Sequence, residues 1–171
     1  VARDKEKLEK IQESLPTKVT IVVADLSNEQ KVKELYVLTK KEKIDVLINN
    51  AGFGLCGEFT ETDINRELEM IDTNIKAVHL LTKFFLRDME KNNSGYILNV
   101  ASSAAFQPGP LMATYYATKS YVYQLTEAIY YEQKKKGSNV NISVLCPGPV
   151  DTNFNKVADV QFALKGLSSE Y

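Results

Sequence analysis

The chain has 171 residues and a mass of 19.2 kDa, the size of one domain. Apolar residues make up 44% and charged residues 25%, which excludes a disordered chain and leaves enough apolar surface for a buried core. Lys and Arg number 21 against 22 Asp and Glu, so the net charge of −1 gives no electrostatic case for nucleic acid or an anionic membrane. Cys56 and Cys146 lack metal-ligand spacing, so no metal site and no disulfide framework is expected; reduced thiols in a cytoplasmic protein are the default. No apolar run reaches the length of a membrane span, and no signal-peptide core opens the chain.

In chain order, Val1 and Ala2 read as the tail of a strand, and a helix follows over Lys5–Ser14. Residues 19–24 (VTIVVA) form a continuous apolar run, as expected of a strand buried on both faces. Ser27, Asn28, Glu29 and Gln30 match a capping box, and the helix they open carries Val32, Leu35, Leu38 and Thr39 at helical spacing. A strand at 44–48 leads to a long helix at about 63–90, whose predicted buried stripe runs from Leu68, Ile71 and Ile75 to Val78, Leu81, Phe85 and Met89. A strand at 96–100, a helix at 114–136 and a strand at 140–146 complete the pattern. Lys134, Lys135 and Lys136 precede Gly137 and read as a helix C-terminus favoured by the dipole.

Short β-branched runs alternating with amphipathic stretches predict an α/β fold: one doubly wound parallel sheet of four strands and a stub, with helices on both faces. In such sheets ligands bind beyond the carboxyl ends of the strands. The places to look are therefore Arg3, Asp25 and Leu26, residues 49–52, residues 101–103 and residues 147–152.

Gly52, Gly54 and Gly57 satisfy G-x-G-x-x-G after a strand, with Asp72 twenty residues beyond Gly52. The dinucleotide fingerprint, however, needs its third glycine in the first turn of a helix and its acid at the end of the next strand. Here Glu-Phe-Thr follows Gly57 and Asp72 falls in mid-helix, so a glycine-rich loop needing positive φ is the better reading of Gly54 and Gly57.

Tyr115 and Lys119 stand at i and i+4, on one helix face and within mutual reach. An ammonium close to a phenol favours the phenolate and lowers its pKa toward the range of a general acid/base. Tyr116 has Ser120 at the same spacing, so the pairing selects Tyr115. In a helix that also carries Tyr121, Tyr123, Tyr130 and Tyr131, aromatic packing is the competing explanation.

The company of this pair decides between the two. Ser102 ends a strand thirteen residues before Tyr115, Asn49-Asn50-Ala51-Gly52 ends another, Asn74 lies in the intervening helix, and Pro147-Gly-Pro-Val-Asp-Thr152 follows the last strand. This set, in this order, resembles the short-chain dehydrogenase/reductase family over nearly the whole chain. The resemblance implies a single Rossmann-type NAD(P)-binding domain over 1–171, with 153–171 beginning a substrate lid. It implies Tyr115 as proton donor and acceptor, and Lys119 as the holder of the nicotinamide ribose. Ser102 would hydrogen-bond the substrate oxygen, with Ser103 as its competitor, and Asn74 would place a proton-relaying water. An amide bonded to nearby backbone is the alternative for Asn74. Asn50, Ala51 and Gly52 would approach the adenine-side ribose, with Asp25 and the backbone of Leu26 at the adenine; helix capping is the alternative for Asp25. Val150 and Thr152 would hold the carboxamide, and Pro147 and Gly148 would shape their turn.

An NAD-specific relative would carry an acid at the end of the second strand, where this chain has Ala2 followed by Arg3. A guanidinium there suits a 2′-phosphate, so NADP(H) is expected in preference to NAD(H). A solvated arginine paired with a neighbouring acid is the alternative. The family's first strand and T-G-x-x-x-G-x-G phosphate loop have no counterpart in these residues, nor does the end of the fold. The 171 residues are therefore expected to belong to a longer chain that is incomplete here at both ends. Three functions stay open: an NADP(H)-dependent oxidoreductase acting on a carbonyl/alcohol pair, a catalytically silent nucleotide-binding or regulatory relative, and a nucleotide-sugar epimerase. The apolar residues of 153–171 point to a hydrophobic small-molecule substrate, and the two long helices to a homodimer or homotetramer.

Overall fold

The computed structural model describes residues 1–148. Its elements are α1 (Lys5–Ser14), α2 (Glu29–Thr39), β1 (Val46–Asn49), α3 (Ile64–Ile71), a π-helix (Asp72–Ala77), α4 (Val78–Asn92), β2 (Gly95–Val100), a short 3₁₀ helix (Ser103–Phe106), α5 (Ala113–Lys136) and β3 (Val140–Leu145). The strands form one parallel sheet in the order β1-β2-β3, with Ile48 opposite Leu98 and Leu98 opposite Ser143. Every strand therefore ends on the same side. This is the parallel α/β architecture that the alternating pattern predicts, and it agrees with the Rossmann-type domain that the resemblance implies.

Helices α2, α4 and α5 cover one face of the sheet. Val32 and Leu35 of α2 pack on Leu81 and Phe85 of α4, and Met89 of α4 packs on Ile97, Val140 and Ile142 of the strands. The opposite face presents Val46, Ile48, Tyr96 and Leu145, each at least half exposed among the described residues. No helix among the described residues is long and apolar enough to cross a membrane.

Three expectations about local structure change. Residues 19–24 do not form a full strand: the segment makes a single parallel bridge, Ala2 to Val23, in which Ala2 N–H donates to Val22 and Ala24 N–H donates to Ala2. Among the described residues no further strand lies beside it, and Val23 is 50% exposed, so an apolar run alone does not make a ladder. The cap of α2 is Asn28, whose side chain accepts from Lys31 N–H, while Ser27 bonds Asp25 instead. The long predicted helix is interrupted by the π-turn, whose i→i+5 bonding takes one residue more than an α-turn. Before and within it Glu67, Met70 and Asn74 are buried and Leu68 is 51% exposed, whereas Val78, Leu81, Phe85 and Met89 after it are buried as the stripe predicts.

Candidate active site

The carboxyl ends of β1, β2 and β3 open onto residues 50–57, 101–106 and 146–148, and α5 runs back beneath them. The buried side of α5 is polar: Tyr115, Thr118, Lys119, Val122, Thr126 and Gln133 all face inward. Buried polar groups need partners, and these have them except at Gln133, where Nε2 donates to Glu90 but Oε1 finds none among the described residues. Thr118 Oγ1 donates to the carbonyl of Tyr115, Thr126 Oγ1 to that of Val122, and Lys119 Nζ to Val100 O at 3.0 Å, the last residue of β2.

Lys119 and Tyr115 lie together, with the ammonium 5.8 Å from the centre of the phenol ring. Only 6% of Lys119 and 9% of Tyr115 is exposed. Burial disfavours charge on both. It lowers the Lys119 ammonium to about 8 and raises the Tyr115 phenol, with a hydrogen bond to the Ser102 side chain acting against the rise. The direction is thus opposite to the sequence-based expectation of a lowered tyrosine, because desolvation is larger than the opposing hydrogen bond from Ser102.

Ser102 caps the 3₁₀ helix, its Oγ accepting from Ala104 N–H at 3.2 Å and donating to Pro147 O at 3.5 Å. Ser103 N–H donates to the same carbonyl at 2.9 Å, which ties the turn after β3 to the serine loop; the Ser103 side chain itself is exposed. Ser102, Tyr115, Lys119 and Pro147 are therefore brought together. A Cβ on Gly148 would meet nothing within 4 Å among the described residues. Val150 and Thr152, and the lid expected over 153–171, lie outside the described residues.

Asn74 lies in the π-helix, 1% exposed. Its Oδ1 accepts from Phe53 N–H at 3.1 Å, and its Nδ2 donates to Phe53 O at 2.9 Å and Thr118 Oγ1 at 3.1 Å. The side chain is bonded as the backbone-amide alternative describes, and it pins the loop after β1 onto α5. Gly52 is the point of closest approach: a Cβ there would stand 2.9 Å from Asn74 Oδ1 and 3.4 Å from Lys119 Nζ. Asn50, Ala51 and Gly52 are exposed and form an open shelf.

Arg3 and Asp25 lie just past the Ala2–Val23 bridge. Arg3 donates to Glu69 Oε1 at 2.9 Å and stands 3.9 Å from Asp25 Oδ2. Asp25 Oδ1 takes both the N–H and the hydroxyl of Ser27; burial raises the Asp25 carboxyl, but these bonds and Arg3 together hold it below its ordinary value. Leu26 turns its side chain into the core against α2 and α4, leaving its backbone at the site. Gly57 has a φ of +155°, as the glycine-rich-loop reading requires, whereas Gly54 is buried without positive φ. The next helix starts only at Ile64, so Gly57 lies in no first helical turn.

Residues that the motifs do not mark complete the site. Phe53, Met70 and Ala104 pack around Tyr115, and Glu67 accepts a hydrogen bond from Thr114. The signal for Glu67 is its spacing: it stands five α-helical turns before buried Phe85, on the apolar stripe's own line. The residues present fit the ribose-nicotinamide half of a dinucleotide. The Lys119 ammonium and the Tyr115 hydroxyl lie together as donors suited to a ribose and a substrate oxygen.

The family model described as short chain dehydrogenase matches residues 1–161. An uncharacterized oxidoreductase of Staphylococcus epidermidis is 30% identical over 161 residues, covering 93% of this chain and 69% of the relative. A short-chain dehydrogenase/reductase of Burkholderia phymatum, solved with NAD, superposes with a TM-score of 0.84 at 30% identity, covering 95% of this chain and 60% of that one. An alcohol dehydrogenase of Thermococcus sibiricus, solved with 5-hydroxy-NADP, gives a TM-score of 0.78 at 26% identity, covering 91% of this chain and 67% of that one. The chain thus spans between 60% and 69% of the length of these relatives.

Proposed function

The chain belongs to the short chain dehydrogenase family of oxidoreductases, and from that membership we propose that it interconverts a carbonyl and an alcohol with NADP(H), Tyr115 acting as general acid and base. The observation that carries the reading is the buried contact between Tyr115 and Lys119, closed on one side by Ser102 and on the other by Gly52 and Asn74. The nicotinamide, when bound, supplies or takes the hydride. In the reducing direction the Tyr115 hydroxyl gives its proton to the substrate oxygen, and Ser102 Oγ donates a hydrogen bond to that oxygen. Lys119 is held by Val100 O where it can turn toward a ribose hydroxyl and favour the Tyr115 phenolate. Asn74 keeps Gly52 and Phe53 seated on α5, which fixes the floor of the nucleotide shelf.

Arg3 supports NADP(H) over NAD(H). Its side chain is 57% exposed at the strand end where Ala2 takes the place of an acid, and a guanidinium matches a 2′-phosphate. Relatives of known structure carry either nucleotide, so this chain's own residues bear the argument. The test is titration with NADPH and NADH. Arg3→Ala is expected to weaken NADPH and leave NADH unchanged; equal affinities that ignore the substitution would overturn the preference. NADPH-linked reduction of small apolar ketones tests the activity, and Tyr115→Phe its acid. Exposed Tyr121 and Tyr131 on α5 support association of copies through this helix.

A further inference from the structure

Glu67 is a buried carboxylate, 6% exposed, that the reaction described above does not use. It lies in α3 and accepts two hydrogen bonds, from Thr62 Oγ1 on one oxygen and from Thr114 Oγ1 on the other at 2.6 Å. Thr62 ends the loop that leaves Gly57, and Thr114 is the second residue of α5, immediately before Tyr115. Met112, the residue at the cap position of α5, makes no side-chain cap bond. The Glu67 carboxylate therefore stands at the first turn of α5, where the helix dipole favours an anion and hydrogen bonds to a charged acceptor are strong.

The contact continues along the helix. Met70, fully buried one turn after Glu67, packs in the cluster that holds Tyr115, and Asn74 bonds Thr118 Oγ1 at 3.1 Å. Residues 67, 70 and 74 thus clasp residues 114, 115 and 118 in register. An apolar pair would seat α5 with less desolvation, but it would leave the helix free to slide and turn. A carboxylate with two fixed donors does not.

We propose that Glu67 is a positioning residue for Tyr115. By holding Thr114 directly, and by tying the 57–62 loop to it through Thr62, it sets the rotation and height of the first turn of α5. The Tyr115 hydroxyl is thereby placed relative to Ser102. The proposal rests on the reading of Tyr115 as the proton donor.

The experiment compares Glu67→Ala, Glu67→Gln and Thr114→Val in the whole protein. It measures kcat and KM for a carbonyl substrate, NADPH affinity, and hydrogen exchange of the amides of residues 113–118. Misplacing a catalytic group by an ångström costs about 10²-fold, so Glu67→Ala and Thr114→Val are expected to lower kcat on that order. KM and NADPH affinity should stay within about twofold, since neither variant touches the nucleotide shelf. Exchange should quicken at the first turn of α5 and nowhere else. Glu67→Gln keeps an acceptor for Thr114 and should recover most of kcat. The proposal is overturned if Gln rescues no better than Ala, if KM rises as much as kcat falls, or if exchange quickens evenly through all helices. Should the wild-type protein reduce no carbonyl, the reading of Tyr115 fails. The exchange pattern then still decides whether Glu67 holds this turn.

Discussion

Asn49 and Asn99 stand opposite each other in register across β1 and β2, and the Asn49 amide donates to Asn99 Oδ1 at 2.8 Å. Thr82 of α4 donates to the same oxygen at 3.3 Å, and Asn99 Nδ2 donates to Thr126 of α5 at 2.9 Å. Two strands and two helices are joined by one buried network, in which neither asparagine is more than 6% exposed. Asn99→Leu is expected to cost about 1–3 kcal/mol, the penalty of leaving buried partners unpaired. Asn50, one residue beyond Asn49, is exposed, and Asn50→Ala should leave stability unchanged while weakening NADPH. Denaturant unfolding and nucleotide titration on the two variants check the contrast. Equal losses of stability would show that the two asparagines share one role.

At Gly52 an alanine would bring its Cβ to 2.9 Å from Asn74 Oδ1, an atom already held by Phe53 N–H. Asn74 cannot move without releasing Phe53 or Thr118. Gly52→Ala is therefore expected to destabilise the fold by about 1–3 kcal/mol, as overpacking does. It should lower kcat/KM by about 10²-fold, because Lys119 is displaced along with Asn74. Steady-state kinetics alongside thermal unfolding separate the two effects; wild-type kinetics would mean that the shelf is softer than its bonds indicate.

Lys119 should leave a signature in stability against pH. Its folded pKa is lowered to about 8 from an ordinary 10.5, so between these values the unfolded chain binds more protons than the folded one. Stability should rise with pH from about 8, by at most about 1.4 kcal/mol per unit. Tyr115 has the opposite sign: its raised folded pKa makes stability fall once pH passes its ordinary 10.0. The usable window is therefore pH 8–10. Lys119→Met should flatten the slope there. If wild type and variant show parallel curves, the Lys119 ammonium is not desolvated as its burial implies.

Tyr115→Phe removes the hydroxyl and keeps the ring among Phe53, Met70 and Ala104. Turnover should fall by the 10²–10⁴-fold typical of a general acid/base, so about that much, with NADPH affinity nearly unchanged. Fluorescence titration beside kinetics measures both, and a loss of affinity as large as the loss of rate would remove Tyr115 from the acid's role.

Much of the architecture was legible because parallel strands and their helices write a strong alternation of apolar runs. The parallel sheet, the span of α1 and the assembly of Ser102, Tyr115 and Lys119 at one end of the strands follow from that pattern and from motif spacing. What escaped is instructive at particular residues. The inward side of α5 is built from Thr118, Lys119, Thr126 and Gln133, so hydrophobic periodicity is silent where partners replace apolar contacts. Glu67 escaped because a search for an apolar stripe passes over a carboxylate, even though a count of 3.6 residues per turn sets it in line with Phe85. The strand expected at 19–24 reduced to one bridge because pairing depends on neighbours that local sequence does not encode. Burial raises the Tyr115 phenol, and spacing between two residues says nothing of how deeply either is buried.

The six-residue π-helix at Asp72–Ala77 makes the long helix a phase shifter. Downstream, Val78, Leu81 and Phe85 answer to the sheet; upstream, Glu67 and Met70 answer to α5 and the loop above it. Deleting one residue inside the π-turn would restore a regular α-helix and rotate the upstream half by about 100° relative to the rest. Lengths of surface loops can drift by a residue without consequence, but the count between Glu67 and Val78 is fixed like the number of teeth between two meshed gears. A one-residue gap there would swing Glu67 and Met70 a quarter-turn away from α5.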